Sequence, residues 1–431
     1  MTELVTLGQI DVPSGILLIL DPGLARFWRH DGDPRSPRPR DGEDVDLAIA
    51  GPDAVAAGRA YNRQFDPRYL FDVAVDRAEA MGGHFAAFAA ERGFDAHARR
   101  LEERVPHTRR ARLAVEAGGG AGVVVYNRLW AVAVGGLPAD RPLPVVAEAM
   151  EGGEFPGRWR SIDVIVDPDA ETVDSHAVQG VMVDHGQLMC ADLGALGEFR
   201  MWESLDGRAD FVFWGADAAE LAARVGATRL TDREFGWTDV IEEEIGAHAE
   251  RVQEAARREG LKIGVDFRPH DNLERLNAQI RANDTRAGTL SLAGARACGF
   301  DNRWGDGVFT IVRDLDAQGR LVRIRLDVGN EETQRRMRRV RLMGCEAIVS
   351  NLVLDGGHPP RFIERMEPIG PDDSGWGLLS GAESEEFMAD GTNFGIVGVR
   401  DLVTRYPAFE EVLDAPIGSL FRLREEVYVP D

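Results

Sequence analysis

Residues 12–21, VPSGILLILD, and residues 183–192, VDHGQLMCAD, follow one plan. Each opens on valine, places glycine fourth, runs through five mostly apolar residues and closes on aspartate. Glycine takes a tight turn at the least steric cost, the apolar run suits a buried strand, and the aspartate ends it in a second turn. A third stretch, LAGARACGFD (292–301), has a related shape with its glycine one place nearer the start. Three such strand starts predict related sheet modules or a divergent repeat. Working outward, 431 residues exceed one ordinary core. The reading is a multidomain α+β protein of mostly antiparallel sheets with helical insertions. An N-terminal module (1–170) carries a helical insertion, a second module spans 171–342, and a third spans 343–431.

Between the first two echoes, residues 30–46 are rich in proline and charge, which predicts an exposed loop. Apolar spacing predicts helices over 52–65 and 69–93, and a further amphipathic turn or two over 94–105. Strands are expected across 112–134, with GGGAG (118–122) as a hairpin turn, and again at 142–150 and 161–167. A phosphate loop is excluded there, because the glycines lead into Val123–Tyr126 rather than into a helix. In the second module a long helix is expected over TDVIEEEIGAHAERVQEAARREG (238–260), its acidic start at Glu242–Glu244 and its basic end at Arg257 and Arg258 complementing its dipole. VFTIV and LVRIRL alternate as paired strands around DLDAQG. TQRRMRRVRL (333–342) reads as a basic helix or linker whose arginines pair within the chain, with the acids between Asp314 and Glu332 as partners. The third module opens with a strand, AIVSNLVLD, and ends in a turn and one last strand.

The net charge of −23 excludes nucleic acid or an anionic membrane as partner, since both require phosphate neutralisation. A basic partner fits better, and the charge is concentrated. From Cys345 onward there are 17 acidic residues against six arginines, a net charge of −11. No apolar run approaches the roughly 18 residues of a membrane span, and the start lacks the basic segment of a signal peptide. Three widely separated cysteines suggest neither a disulfide framework nor a zinc site. These features predict a bacterial, cytoplasmic protein.

Candidate chemistry centres on DDSGWGLLSGAESEE (372–386). Ser374 sits in D-D-S-G-W rather than in a G-x-S-x-G elbow, and the segment holds only His358 as a base. Asp372, Asp373, Ser374 and Gly375 therefore read as a turn, and a partly exposed Trp376 beside acid suits an interface anchor. Asp184, His185 and Asp306 form a second candidate set, for hydrolysis or ligand binding. The pair His270-Asp271 and the group Asp174, His176, Asp184 and His185 are tempting but lack HxH, HExxH or CxxC spacing, so no metal is assigned. No residue is assigned a catalytic role, and no pattern requires a cofactor.

Residues 345–431 resemble a bacterial polymorphic-toxin immunity domain, immunity family thirty-three. The resemblance rests on IVSNLVL (348–354), RFIERMEP (361–368), DSGWGLLSGAESEEF (373–387), TNFGIV (392–397) and LDAPIGSLFR (413–422). Ala382 and Ser384 stand where the family would show a more acidic run. The resemblance implies neutralisation of a toxin by binding. Taken with the charge, it points to a basic protein toxin met by Asp372, Asp373, Ser374, Trp376, Glu383, Glu385 and Glu386. Residues 181–327 are similar to an uncharacterised bacterial domain with a glycine strand start, here Gly186 with Asp192, and a later Gly305-Asp306-Gly307.

Overall fold

The computed structural model describes residues 4–28, 44–62 and 67–431. Residues 30–43 of the expected charged loop lie outside them. The chain forms two compact units, Met1–Val328 and Gly329–Asp431.

In the first unit, β1 (Leu4–Ile10) and β2 (Ile16–Leu20) lead through a 3-10 turn to an inserted layer. That layer comprises β3 (Val45–Ala50), α1 (Ala54–Tyr61), β4 (Tyr69–Val73), α2 (Ala78–Arg92) and β5 (His97–Arg100). Then follow α3 (His107–Ala117), β6 (Ala121–Tyr126), β7 (Leu129–Gly135), β8 (Leu143–Ala149) and β9 (Trp159–Ile165).

The order then starts again. β10 (Asp174–Val183) and β11 (Gln187–Asp192) precede a second inserted layer: β12 (Arg208–Trp214), α4 (Ala218–Val225), β13 (Thr228–Arg229), β14 (Glu234–Ile241), α5 (Ile245–Glu259) and β15 (Gly264–Pro269). After it come α6 (Asn272–Ala282), β16 (Ala287–Leu292), β17 (Ala295–Asp301), β18 (Gly307–Leu315) and β19 (Leu321–Asp327).

The two halves interleave. One six-stranded sheet has the order β1-β8-β9-β19-β18-β10 and the other β16-β17-β11-β2-β7-β6. Each order reads the same from either end once the halves are exchanged, as a pseudo-two-fold axis requires. Ile19 faces Cys190 at the centre of one sheet and Asp163 faces Arg325 at the centre of the other. The register shift in β1 between Thr6 and Gly8 recurs in β10 between Val178 and Val181. Both β6–β7 and β16–β17 turn through two positive-φ residues, Asn127-Arg128 and Ala293-Gly294, the tight hairpin geometry that matches strand twist. In the inserted layers, the Asp53 carboxylate accepts from Asp95 N as Asp217 accepts from Lys262 N, both at 2.8 Å. Strands from both sides of residue 170 thus share one body. In LAGARACGFD, Gly294 turns at positive φ into β17, which ends at Asp301 and pairs with β11 with Cys298 opposite Cys190. It is a strand start, but the counterpart of β7 and not a third copy of β2 and β11.

Several local expectations change. Residues 112–117 belong to α3 instead of a strand; GGGAG closes that helix, and the hairpin lies at Asn127-Arg128. The arginine-rich face of α3 hid its helical period, because Arg110 is buried as if apolar. Tyr69–Val73 and His97–Arg100 are strands instead of helix, since β3 pairs with both. The α5 helix, its leading Glu242–Glu244 turn, and the β18–β19 pair agree with the sequence pattern, whereas Thr238–Ile241, expected in that helix, end β14.

The second unit contains α7 (Glu331–Met343), β20 (Glu346–Ser350), α8 (Asn351–Leu354), β21 (Phe362–Arg365), β22 (Asp373–Leu379) and α9 (Glu385–Met388). β23 (Phe394–Gly398), α10 (Val399–Arg405), β24 (Leu420–Arg424) and β25 (Val427–Pro430) complete it. The sheet order is β23-β20-β22-β21-β24-β25, with β20 and β22 parallel and the other pairs antiparallel. Its core gathers Val349, Ile363, Trp376, Leu378, Phe409 and Leu413. The chain ends in a hairpin of two strands instead of one, turning at Glu425-Glu426. The arginines of α7 do pair within the chain. Two of them have partners outside the expected acids: Arg335 meets Asp414 at 2.7 Å and Arg339 meets Glu410 at 3.3 Å.

Candidate functional site

The acidic stretch 372–386 divides into residues that hold the fold and residues that face solvent. Trp376 is fully buried. Its indole N–H donates to Leu413 O at 3.0 Å, Phe409 meets the ring edge-on at 5.3 Å, and the Arg365 guanidinium stands 5.4 Å from it. The expected surface anchor is therefore a core residue. Alternation explains it: β22 is an inner strand, and Trp376 lies on the face that packs on Phe409. Ser374 is also buried, and its hydroxyl accepts from Trp376 N at 3.2 Å. Asp373 closes a turn, accepting from Gly375 N at 2.7 Å and Ile369 N at 2.9 Å.

Glu383 is likewise engaged inside its own loop. One carboxylate oxygen accepts from Ser380 N and the other from Gly381 N, both at 2.7 Å. Burial opposes its charge, but hydrogen bonds from Ser350 and the Ser380 backbone outweigh that and hold the carboxyl down at about 2.

Asp372, Glu385 and Glu386 remain exposed. Ser384 caps α9 by accepting from Phe387 N at 3.2 Å. Phe387 meets Phe394 at 5.8 Å, and Asn393 Nδ2 donates to Phe387 O at 2.9 Å, so α9 is fastened to the start of β23. Asp390 caps the intervening turn through Thr392 N at 3.0 Å. At the other end of β23, Gly398 lies opposite exposed Glu346, and Asp372 O accepts from Glu346 N at 2.7 Å. Acid thus flanks β23 at both ends, while Ile396 within it is 71% exposed and Met388 beside it 47%. Sequence reasoning missed this strand. Its signal was available in FGIVG, a short apolar run between glycines.

The second candidate set is brought together, but as turn closures. Asp21, fully buried, accepts from Asp184 N at 2.7 Å and His185 N at 2.9 Å, and its carboxylate lies 3.3 Å from His185 Nδ1. Burial raises the Asp21 pKa against these hydrogen bonds. Asp306 Oδ1 accepts from Gly186 N at 3.0 Å, which joins the glycine strand start to Gly305-Asp306-Gly307. Asp184, His185 and Asp306 are all exposed. His270 lies between two carboxylates, with Asp206 3.2 Å from Nδ1 and Asp210 3.2 Å from Nε2, whereas Asp271 caps α6. Among the described residues no group of three or more His, Cys, Asp or Glu could hold a metal ion, and no helix is long and apolar enough to cross a membrane.

Residues 347–428 match the family model described as Immunity protein Imm33 domain. No curated protein and no solved structure matches the chain.

Proposed function

We propose that this protein neutralises a protein toxin by direct binding through its C-terminal unit. The observation that carries this reading is the immunity-domain match over residues 347–428. The concentration of acid in the same segment supports a basic toxin, because complementary charge speeds encounter and disfavours wrong partners. The interface is assigned to Asp372, Glu385 and Glu386 around β23, with Ile396 and Met388 as its apolar contacts. Trp376, Ser374, Asp373 and Glu383 support that surface from within.

The test is capture from the native host with the full chain and with the double variant Glu385→Lys/Glu386→Lys. A basic toxin-like protein should be retained by the wild type and lost by the variant, with unchanged thermal unfolding. Equal retention by both would remove the acidic face from the interface.

A further inference from the structure

The open edge of the C-terminal sheet offers a specific mode of binding. Antiparallel neighbours alternate between pairs that exchange hydrogen bonds and pairs that turn their backbone groups away. Val399 N donates to Cys345 O at 2.9 Å. Counting along the ladder, Val397 and Gly395 therefore point at β20, and Ile396, opposite Ile348, turns its N–H and C=O outward. The Glu346 N–H, directed the other way to Asp372 O, fits the same alternation. No other strand among the described residues pairs with β23.

The opposite edge of the sheet is blunted. β25 ends in Pro430, which has no N–H, and starts beside Glu425 and Glu426 at positive φ. β23 carries neither proline nor charge in its five residues. Gly395 makes room for Leu354 on one face of the strand, where a Cβ would lie 2.7 Å from Leu354 Cδ1, and leaves the backbone edge as the open side. Glu385, Glu386 and Asp390 stand at its start and Glu346, Asp372 and Asp401 near its end. An ideal Cβ on Gly398 would lie 3.6 Å from Asp401 Oδ2. The neighbouring cations are Arg400, which lines a separate groove of about 710 Å³ with Arg336 and Glu410, and Arg341 and Arg365, whose charges act on Cys345 together with those of Asp372 and Asp373.

We propose that β23 receives a β-strand from the toxin, an extended segment with an apolar residue over Ile396 and arginine or lysine at both ends. This mode, in which main-chain bonds give affinity and side chains give selectivity, rests on the proposed function.

The probe is a synthetic peptide of about nine residues, alternating valine and threonine with arginines at each end, alongside a copy with glutamates at the ends. Binding is measured to the full chain, to Ile396→Pro and to Glu385→Lys/Glu386→Lys, together with hydrogen exchange at the Ile396 amide. Ile396→Pro removes the outward N–H together with the exposed isoleucine side chain and no N–H of the β20 ladder, so Ile396→Ala, which keeps the N–H, is measured beside it to separate the two losses. The basic peptide should protect the Ile396 amide in the wild type, and Ile396→Pro should weaken it by about tenfold or more. The glutamate copy should not bind. Equal binding to Ile396→Pro with no protection would overturn strand addition while leaving the acidic-face reading intact, provided the charge reversal still abolishes binding. Equal binding to all three chains would overturn both. A dimer of the chain alone that Ile396→Pro dissolves would put a second copy on this edge and also overturn the proposal.

Discussion

Asp21 and Asp192 each close the turn that begins the other's strand. Asp192 Oδ2 accepts from Ser14 N at 2.8 Å and Asp21 Oδ2 from His185 N at 2.9 Å. Each also uses its other oxygen on a nearby glycine, Asp21 on Gly23 N at 2.7 Å and Asp192 on Gly194 N at 2.8 Å. The reciprocity joins the halves of the first unit, and it explains why the two ten-residue stretches keep both their glycine and their aspartate. Gly15 and Gly186 hold φ of 71° and 64°, a left-handed conformation that favours glycine.

Because the two aspartates do the same work, Asp21→Asn and Asp192→Asn should destabilise the first unit by similar amounts, about 1–3 kcal/mol each. Urea unfolding of the two variants checks this. A neutral result for one and a large loss for the other would contradict their equivalence.

Trp376→Ala should behave as a core truncation. The cost expected is about 3–5 kcal/mol, seen as lost hydrogen-exchange protection across β20 and β22. An unaltered fold with selectively lost partner affinity would instead restore Trp376 to the surface.

The halves diverge where their inserted layers are fastened. In the first, buried Arg110 donates to both Asp46 oxygens, at 3.0 and 2.9 Å, and to Asp72 at 3.0 Å. In the second, Asp210 occupies the position of Asp46 on the central strand, accepting from Asp239 N as Asp46 does from Asp72 N. There His270 meets Asp210, while Arg275, at the place of Arg110 in its helix, meets Asp206 at 3.1 Å. Burial works against the charged His270 ring, but hydrogen bonds to Asp210 and Asp206 and their charges outweigh it and raise its pKa. A raised histidine contributes stability that is full below its ordinary value of 6.5 and is lost as pH rises through the folded value. Exchange of β12 and β15 amides should therefore quicken over that window in the wild type, and His270→Gln should flatten the dependence. Identical profiles would contradict the latch.

This divergence also marks how far the fold was legible. The echo at 12–21 and 183–192 could be read because turn and closing carboxylate are required twice by one geometry. The remaining equivalences were hidden, since the carboxylate of the central strand is met by Arg110 in one half and by His270 in the other. β5 pairs with β3 through HARR, a string without strand character. The immunity resemblance pointed to the segment that the family model matches, but the burial of Trp376 depends on β22 being an inner strand, which comes from pairing across the sheet. Glu383 reads as surface charge in the sequence because no local pattern reveals that the Ser380 and Gly381 amides donate to its carboxylate.

Neutralisation through the acidic face is read out by growth protection. The toxin captured by the wild-type chain is expressed with the full chain or with Glu385→Lys/Glu386→Lys, at equal levels of folded protein. The wild type should restore growth and the charge-reversed chain should not. Restoration by both, or by neither, would contradict neutralisation through the acidic face beside β23.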